Sequence, residues 1–159
     1  MKRIWPIVAL LALSATGAEA LEAKVTRTTT APAERAWAAV GDFCGIATWH
    51  PAVTDCAPSE KDGAQYRTLT LKDGAKLLEK LVARDEAARS YTYTIEEGPL
   101  PVAGYTSTLT VAPADTGSTF AWSGTFDAKG ATDDEAVKTI TGIYEGGLDA
   151  LVAKTSDAK

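Results

Sequence analysis

One histidine, one methionine and two cysteines are all that this 159-residue chain offers a soft metal ion. A zinc site needs three or four ligands at suitable spacing, and Cys44, His50 and Cys56 form no recognised zinc pattern. Basic runs are also missing: 16 Lys and Arg stand against 21 Asp and Glu, for a net charge of −5. An acidic chain without a basic stripe is poorly suited to a phosphate backbone or an anionic lipid surface. The sequence has no Gly-x-Ser-x-Gly elbow and no phosphate-cradling glycine loop. These gaps argue against nucleic acid as a partner and against nucleophilic, metal-dependent and nucleotide-dependent catalysis. No cofactor is expected.

What is present begins with an export pattern. Lys2 and Arg3 precede the apolar run Ile7 to Leu13, and Ala18-Glu19-Ala20 supplies a small-x-small cleavage pattern. The run is too short to span a bilayer, which takes about 20 residues. Residues 1–20 therefore read as a secretory signal cleaved after Ala20, with residues 21–159 as one domain in the periplasm or outside the cell. Without the signal, 14 basic and 20 acidic residues remain and the net charge becomes −6. No later stretch is apolar enough to insert into a membrane. An even cysteine count in an exported protein favours a disulfide between Cys44 and Cys56.

Periodicity sets the order of elements. Ala23 to Thr30 reads as a strand, and Pro32 opens a helix with Ala36, Trp37, Val40 and Phe43 at helical spacing. Gly41 and Gly45 lead into a second short helical turn that Pro51 limits. Consecutive antiparallel strands follow: Tyr66 to Leu71, Ala75 to Arg84, Ser90 to Glu96, Tyr105 to Val111 and Thr119 to Phe126, after an initial strand from Val53. Lys72-Asp73-Gly74 marks a hairpin, and Gly98-Pro99-Leu100-Pro101 a break. Thr132 and Glu135 form a capping box ahead of a long helix to Lys154, with Val137, Ile140, Tyr144, Leu148 and Leu151 on one face. Gly142, Gly146 and Gly147 inside that helix imply either close packing or space beneath it. The expected fold is α+β: a bent antiparallel sheet wrapped around the C-terminal helix, with a hollow that one helix cannot fill.

The segment Gly41-Asp42-Phe43-Cys44-Gly45-Ile46-Ala47-Thr48-Trp49-His50-Pro51 resembles the SRPBCC (START/Bet v 1-like) superfamily, and its secreted polyketide cyclase/dehydrase-type members in particular. Ala31 to Trp37, Glu79-Lys80-Leu81, Ser90 to Tyr93 and Trp122 to Phe126 are similar as well. The resemblance implies a helix-grip fold over nearly all of the mature chain. It is far less specific for function, because the superfamily includes carriers, receptors, cyclases and accessory proteins. Exported members include a methanol-oxidation accessory group that assists a periplasmic dehydrogenase and its cytochrome.

Several side chains are candidates for a site. His50 is the only group with an ordinary pKa near neutrality, so it is the candidate acid or base at the cavity mouth. Its alternative role is to hydrogen-bond the backbone while Trp49 and Pro51 pack the helix-to-strand junction. If Leu71 pairs with Ala75, then Arg67 faces Glu79 on the inward side of the hairpin. That pair could anchor a ligand's carboxylate or hydroxyl, or could pin the register. Trp49, Tyr91, Tyr93, Tyr105, Trp122 and Tyr144 are candidate walls for an apolar or aromatic guest; each could equally be ordinary core. The leading expectation is non-covalent binding of a small hydrophobic molecule. The alternatives are a cofactor-free cyclase or dehydratase, and an accessory protein docking on a periplasmic redox partner.

Overall fold

The computed structural model describes residues 19–156, so the apolar run of the expected signal falls outside the described residues. Strand β1 (Leu21–Thr29) leads into helix α1 (Ala33–Val40) and a 3-10 helix at Gly45–Thr48. Six strands follow: β2 (Val53–Lys61), β3 (Ala64–Leu71), β4 (Lys76–Asp85), β5 (Ser90–Glu97), β6 (Val102–Pro113) and β7 (Ser118–Ala128). Helix α2 (Asp133–Ser156) closes the chain. The seven strands form one antiparallel sheet in the order β1-β7-β6-β5-β4-β3-β2, and α2 packs against β1, β7 and α1. This is the expected helix-grip architecture.

Local chemistry explains the boundaries. Asp62 and Gly63 both have positive φ, 52° and 75°, between β2 and β3. That is the two-residue turn whose twist matches a hairpin, and Asp-Gly is its preferred dipeptide. Helix α1 stops three residues before Phe43, because Gly41 adopts φ 76° and returns its N–H to the Trp37 carbonyl. Strand β6 starts at Val102, ahead of the expected Tyr105, and reaches across an irregularity between Ala103 and Thr106. The capping box forms as expected: the Glu135 N–H donates to Thr132 Oγ1, and the Thr132 N–H donates to Glu135 Oε2.

Alternation then sorts the strands into two faces. Leu69 on β3, Leu77 and Glu79 on β4, and Tyr91 and Tyr93 on β5 are buried on the inner face. Tyr105, Ser107, Leu109 and Val111 continue it on β6, and Phe120, Trp122 and Phe126 on β7. Ala136, Ile140, Tyr144, Gly147, Leu148 and Leu151 form the buried stripe of α2 that meets this face. Cys44 and Cys56 form a disulfide, with Cα atoms 5.6 Å apart, that ties the start of the 3-10 helix to edge strand β2.

Candidate functional site

The expected hollow lies between the sheet and α2, and it is narrow. Aromatic side chains occupy most of it and leave a cavity of about 70 Å³. A dry cavity that takes a benzene ring is about 150 Å³, so an aromatic guest requires the walls to move. Leu69 and Leu77 from the sheet, Ile140 from α2, and Ile46 and Val53 line this space. Leu71, Ile95, Leu100 and Ile143 also line it and are only half-buried, which puts the outer end of the cavity among them.

Five polar side chains border the cavity: His50, Glu79, Tyr93, Tyr105 and Trp122. Of the other residues expected at the site, Trp49, Arg67, Tyr91 and Tyr144 are not part of its lining. The Trp49 indole N–H donates to the Val40 carbonyl, 3.0 Å away, and its ring packs edge-on against Trp122. Tyr91 sits towards α1, between Trp37 and Phe43. Tyr144 stacks on Trp122 with ring centroids 4.6 Å apart, so Trp122 rather than Tyr144 faces the space.

Arg67 and Glu79 are direct partners across the β3–β4 ladder, as are Leu69 and Leu77. Arg67 Nε donates to Glu79 Oε2 at 2.6 Å, with both side chains essentially out of solvent. Arg67 Nη1 donates to the Phe43 carbonyl, and the guanidinium lies 4.0 Å from the centre of the Phe43 ring. Burial alone would lower the Arg67 pKa. The Glu79 carboxylate and the Tyr91 and Tyr93 oxygens more than offset this, so the guanidinium stays charged. Burial pushes the Glu79 carboxyl upward, against the pull of Arg67. The pair therefore has an inside and an outside: Glu79 borders the cavity, while Arg67 stands behind it on Phe43.

His50 is engaged at both ring nitrogens. Nδ1 accepts from the Ala52 N–H at 3.1 Å, and Nε2 donates to the Ile143 carbonyl at 3.1 Å. This arrangement needs the neutral ring, and burial lowers its pKa further. The geometry is that of a histidine satisfied by backbone, which leaves no nitrogen free to exchange a proton with a guest. Gly147 on α2 makes room for it, since a Cβ there would sit 2.7 Å from His50 Cδ2 and 2.8 Å from Trp122 Cζ3. The glycine thus serves close packing, but against two side chains and not another backbone. Gly142, by contrast, faces open space.

A chain of buried hydroxyls runs behind the cavity. Tyr93 Oη bonds Tyr105 Oη at 3.2 Å, and Tyr105 Oη bonds Tyr144 Oη at 2.6 Å. Tyr144 Oη bonds Ser107 Oγ at 2.9 Å, and Ser107 Oγ donates to the Ser123 carbonyl at 2.9 Å. The Trp122 indole N–H donates to both Tyr93 Oη and Ser107 Oγ. Burial raises the phenols well above their ordinary pKa, that of Tyr144 to about 12, so all keep their protons at neutral pH. Because a carbonyl can only accept, the terminal bond fixes every direction: Tyr93 donates to Tyr105, Tyr105 to Tyr144, and Tyr144 to Ser107. Ser107 was not among the expected site residues. Its signal was a lone hydroxyl at a position that alternation puts on the inner face, between Tyr105 and Leu109.

Residues 20–155 match the family model described as polyketide cyclase/dehydrase and lipid transport. The chain belongs to this family, and so to the SRPBCC superfamily. Among solved structures, this polyketide cyclase/dehydrase-type chain is similar to the protein XoxI from Bacillus cereus. Identity is 30%, the TM-score is 0.80, and the match covers 86% of this chain and 96% of that one. It is also similar to Ara h 8.0201 (24% identity, TM-score 0.70, covering 86% and 98% of the two chains). The ZhuI aromatase/cyclase from Streptomyces follows at 20% identity and TM-score 0.69, covering 86% and 94%. These last two likenesses concern the fold alone. No curated protein matches the chain.

Proposed function

We propose that this family member is an exported, non-enzymatic binder of a small apolar molecule, held between the sheet and α2. The observation that carries this reading is the cavity itself: its wall is almost wholly aliphatic and aromatic, and the few polar groups that reach it are already held in fixed orientations. A guest of ring size is admitted by movement of the half-buried outer side chains, Leu100 on the 98–101 segment among them. The mature domain is residues 21–159, released by cleavage after Ala20 and resident in the periplasm. The Cys44–Cys56 bridge suits such an oxidising compartment, and no helix among the described residues is long and apolar enough to cross a membrane.

The geometry favours binding over turnover. A cyclase or dehydratase needs an acid or base that can exchange a proton with its substrate, and both nitrogens of His50, the residue expected in that role, are occupied by backbone groups. Docking on a redox partner would call for a contiguous apolar patch on the surface. Among the described residues, Val82 is the large hydrophobic side chain that stands exposed.

Native mass spectrometry of protein taken from its own export compartment, compared with the denatured mass, tests the proposal. A bound small molecule supports it and identifies the ligand. Protein that is empty as isolated, and that binds no apolar probe, overturns it.

A further inference from the structure

The cavity has a polarity that follows from where its protons already go. Neutral His50 has spent its one N–H on Ile143 and its lone pair on Ala52. Trp122 spends its N–H on Tyr93 and Ser107. The hydroxyl protons of Tyr93 and Tyr105 are committed along the chain that ends at the Ser123 carbonyl. No side-chain donor among the residues bordering the cavity is free. The acceptors are different. Glu79 borders the cavity, and Oε2 is the oxygen that Arg67 Nε engages. Oε1 has no hydrogen bond from any described residue. The same carboxylate is buried, and Arg67 holds it from behind.

Resting on the binding proposal above, we infer that the guest is an alcohol or phenol: an apolar body with one hydroxyl that donates to Glu79 Oε1. A carbonyl or carboxylate guest would bring an acceptor to a wall whose side chains offer only acceptors. Its oxygen would lose water without gaining a partner, which is the costly arrangement for a buried polar atom. A purely aliphatic guest would leave the Glu79 oxygen facing hydrocarbon. A hydroxyl settles both difficulties with one bond to a carboxyl group that Arg67 pairs with at 2.6 Å, and hydrogen bonds to such a paired acceptor are the stronger class.

The test uses the mature domain and three probes of nearly equal shape: cyclopentanol, cyclopentanone and methylcyclopentane. Binding is followed by methyl chemical-shift changes at Leu77, Ile140 and Ile143. Cyclopentanol is expected to bind about tenfold more tightly than either of the others. Joint replacement of the pair, Arg67→Leu with Glu79→Leu, should bring the three affinities together. If the ketone or the hydrocarbon binds as tightly as the alcohol to the unmodified protein, the hydroxyl inference is overturned while the cavity remains a binding site. If none of the three binds, the binding proposal fails and the inference fails with it. The comparison on unmodified protein decides the matter even if the double variant does not fold.

Discussion

His50 occupies the space that a side chain at position 147 would need. Its Cδ2 would lie 2.7 Å from a Cβ built on Gly147, inside any real carbon–carbon contact. One glycine of the long helix is therefore required by the histidine across from it, which in turn hydrogen-bonds the Ile143 carbonyl of the same helix.

This relationship separates the helix glycines by experiment. Gly142→Ala puts its methyl into open space and should stabilise the protein by about 1 kcal/mol, the usual helix preference for alanine. Gly147→Ala gains the same preference but must displace His50 or Trp122, at roughly 1–3 kcal/mol for overpacking. Urea unfolding should show the first variant above the parent and the second below it. Equal shifts in both would mean His50 does not pack there.

Arg67 and Glu79 should behave as one unit. Arg67→Leu leaves a buried carboxylate without its cation and should cost about 3–5 kcal/mol. Arg67→Leu together with Glu79→Leu should cost less than Arg67→Leu alone, because no uncompensated charge remains. A double-mutant cycle reads this directly, and additive losses would mean that the two side chains do not meet.

Acid sensitivity around neutrality should trace to His50, the chain's single histidine. Burial depresses its folded pKa below the ordinary 6.5. Above 6.5 the ring is neutral in both states and the full stability is present. As pH falls from 6.5 towards the folded pKa, only the unfolded chain takes up the proton, so stability is lost. Unfolding midpoints at pH 7.5 and at about one unit below 6.5 should therefore differ more in the parent than in His50→Gln. The same pH slope in both would assign the effect to other groups.

Reduction of Cys44–Cys56 should lower stability by about 3 kcal/mol, the chain-entropy value for a short loop. The intact mass of exported protein should fall two hydrogens below the thiol form. Free thiols in undamaged material would refute the bridge. The cavity should feel its loss, because the bridge ties β2, which contributes Val53 to the wall, to the 3-10 helix, which contributes Ile46.

Much of this was legible in the amino-acid order alone. Tyr91, Tyr93 and Ile95 alternate with polar residues, which marks a strand and its inner face. Lys72-Asp73-Gly74 set the hairpin length, and with it the pairing of Arg67 with Glu79. Thr132 and Glu135 announced the long helix. These are local signals: dihedral preference, capping and periodicity act within a few residues, so the chain carries them before it folds.

The contents of the hollow were decided only by the tertiary structure. Counting elements suggested a hollow, but its volume depends on how rings from β5, β6, β7 and α2 interlock, and they fill most of it. The sequence could pair Arg67 with Glu79 but could not say which of them faces the cavity; Phe43, brought in from beyond α1, draws the guanidinium back. The sequence allowed His50 a backbone partner but could not name it, because Ile143 lies far along the chain. Ser107 looked incidental until Tyr105, Tyr144 and Trp122 converged on it. Each of these outcomes depends on contacts between residues distant in sequence, and such contacts exist only once the sheet has closed around its helix.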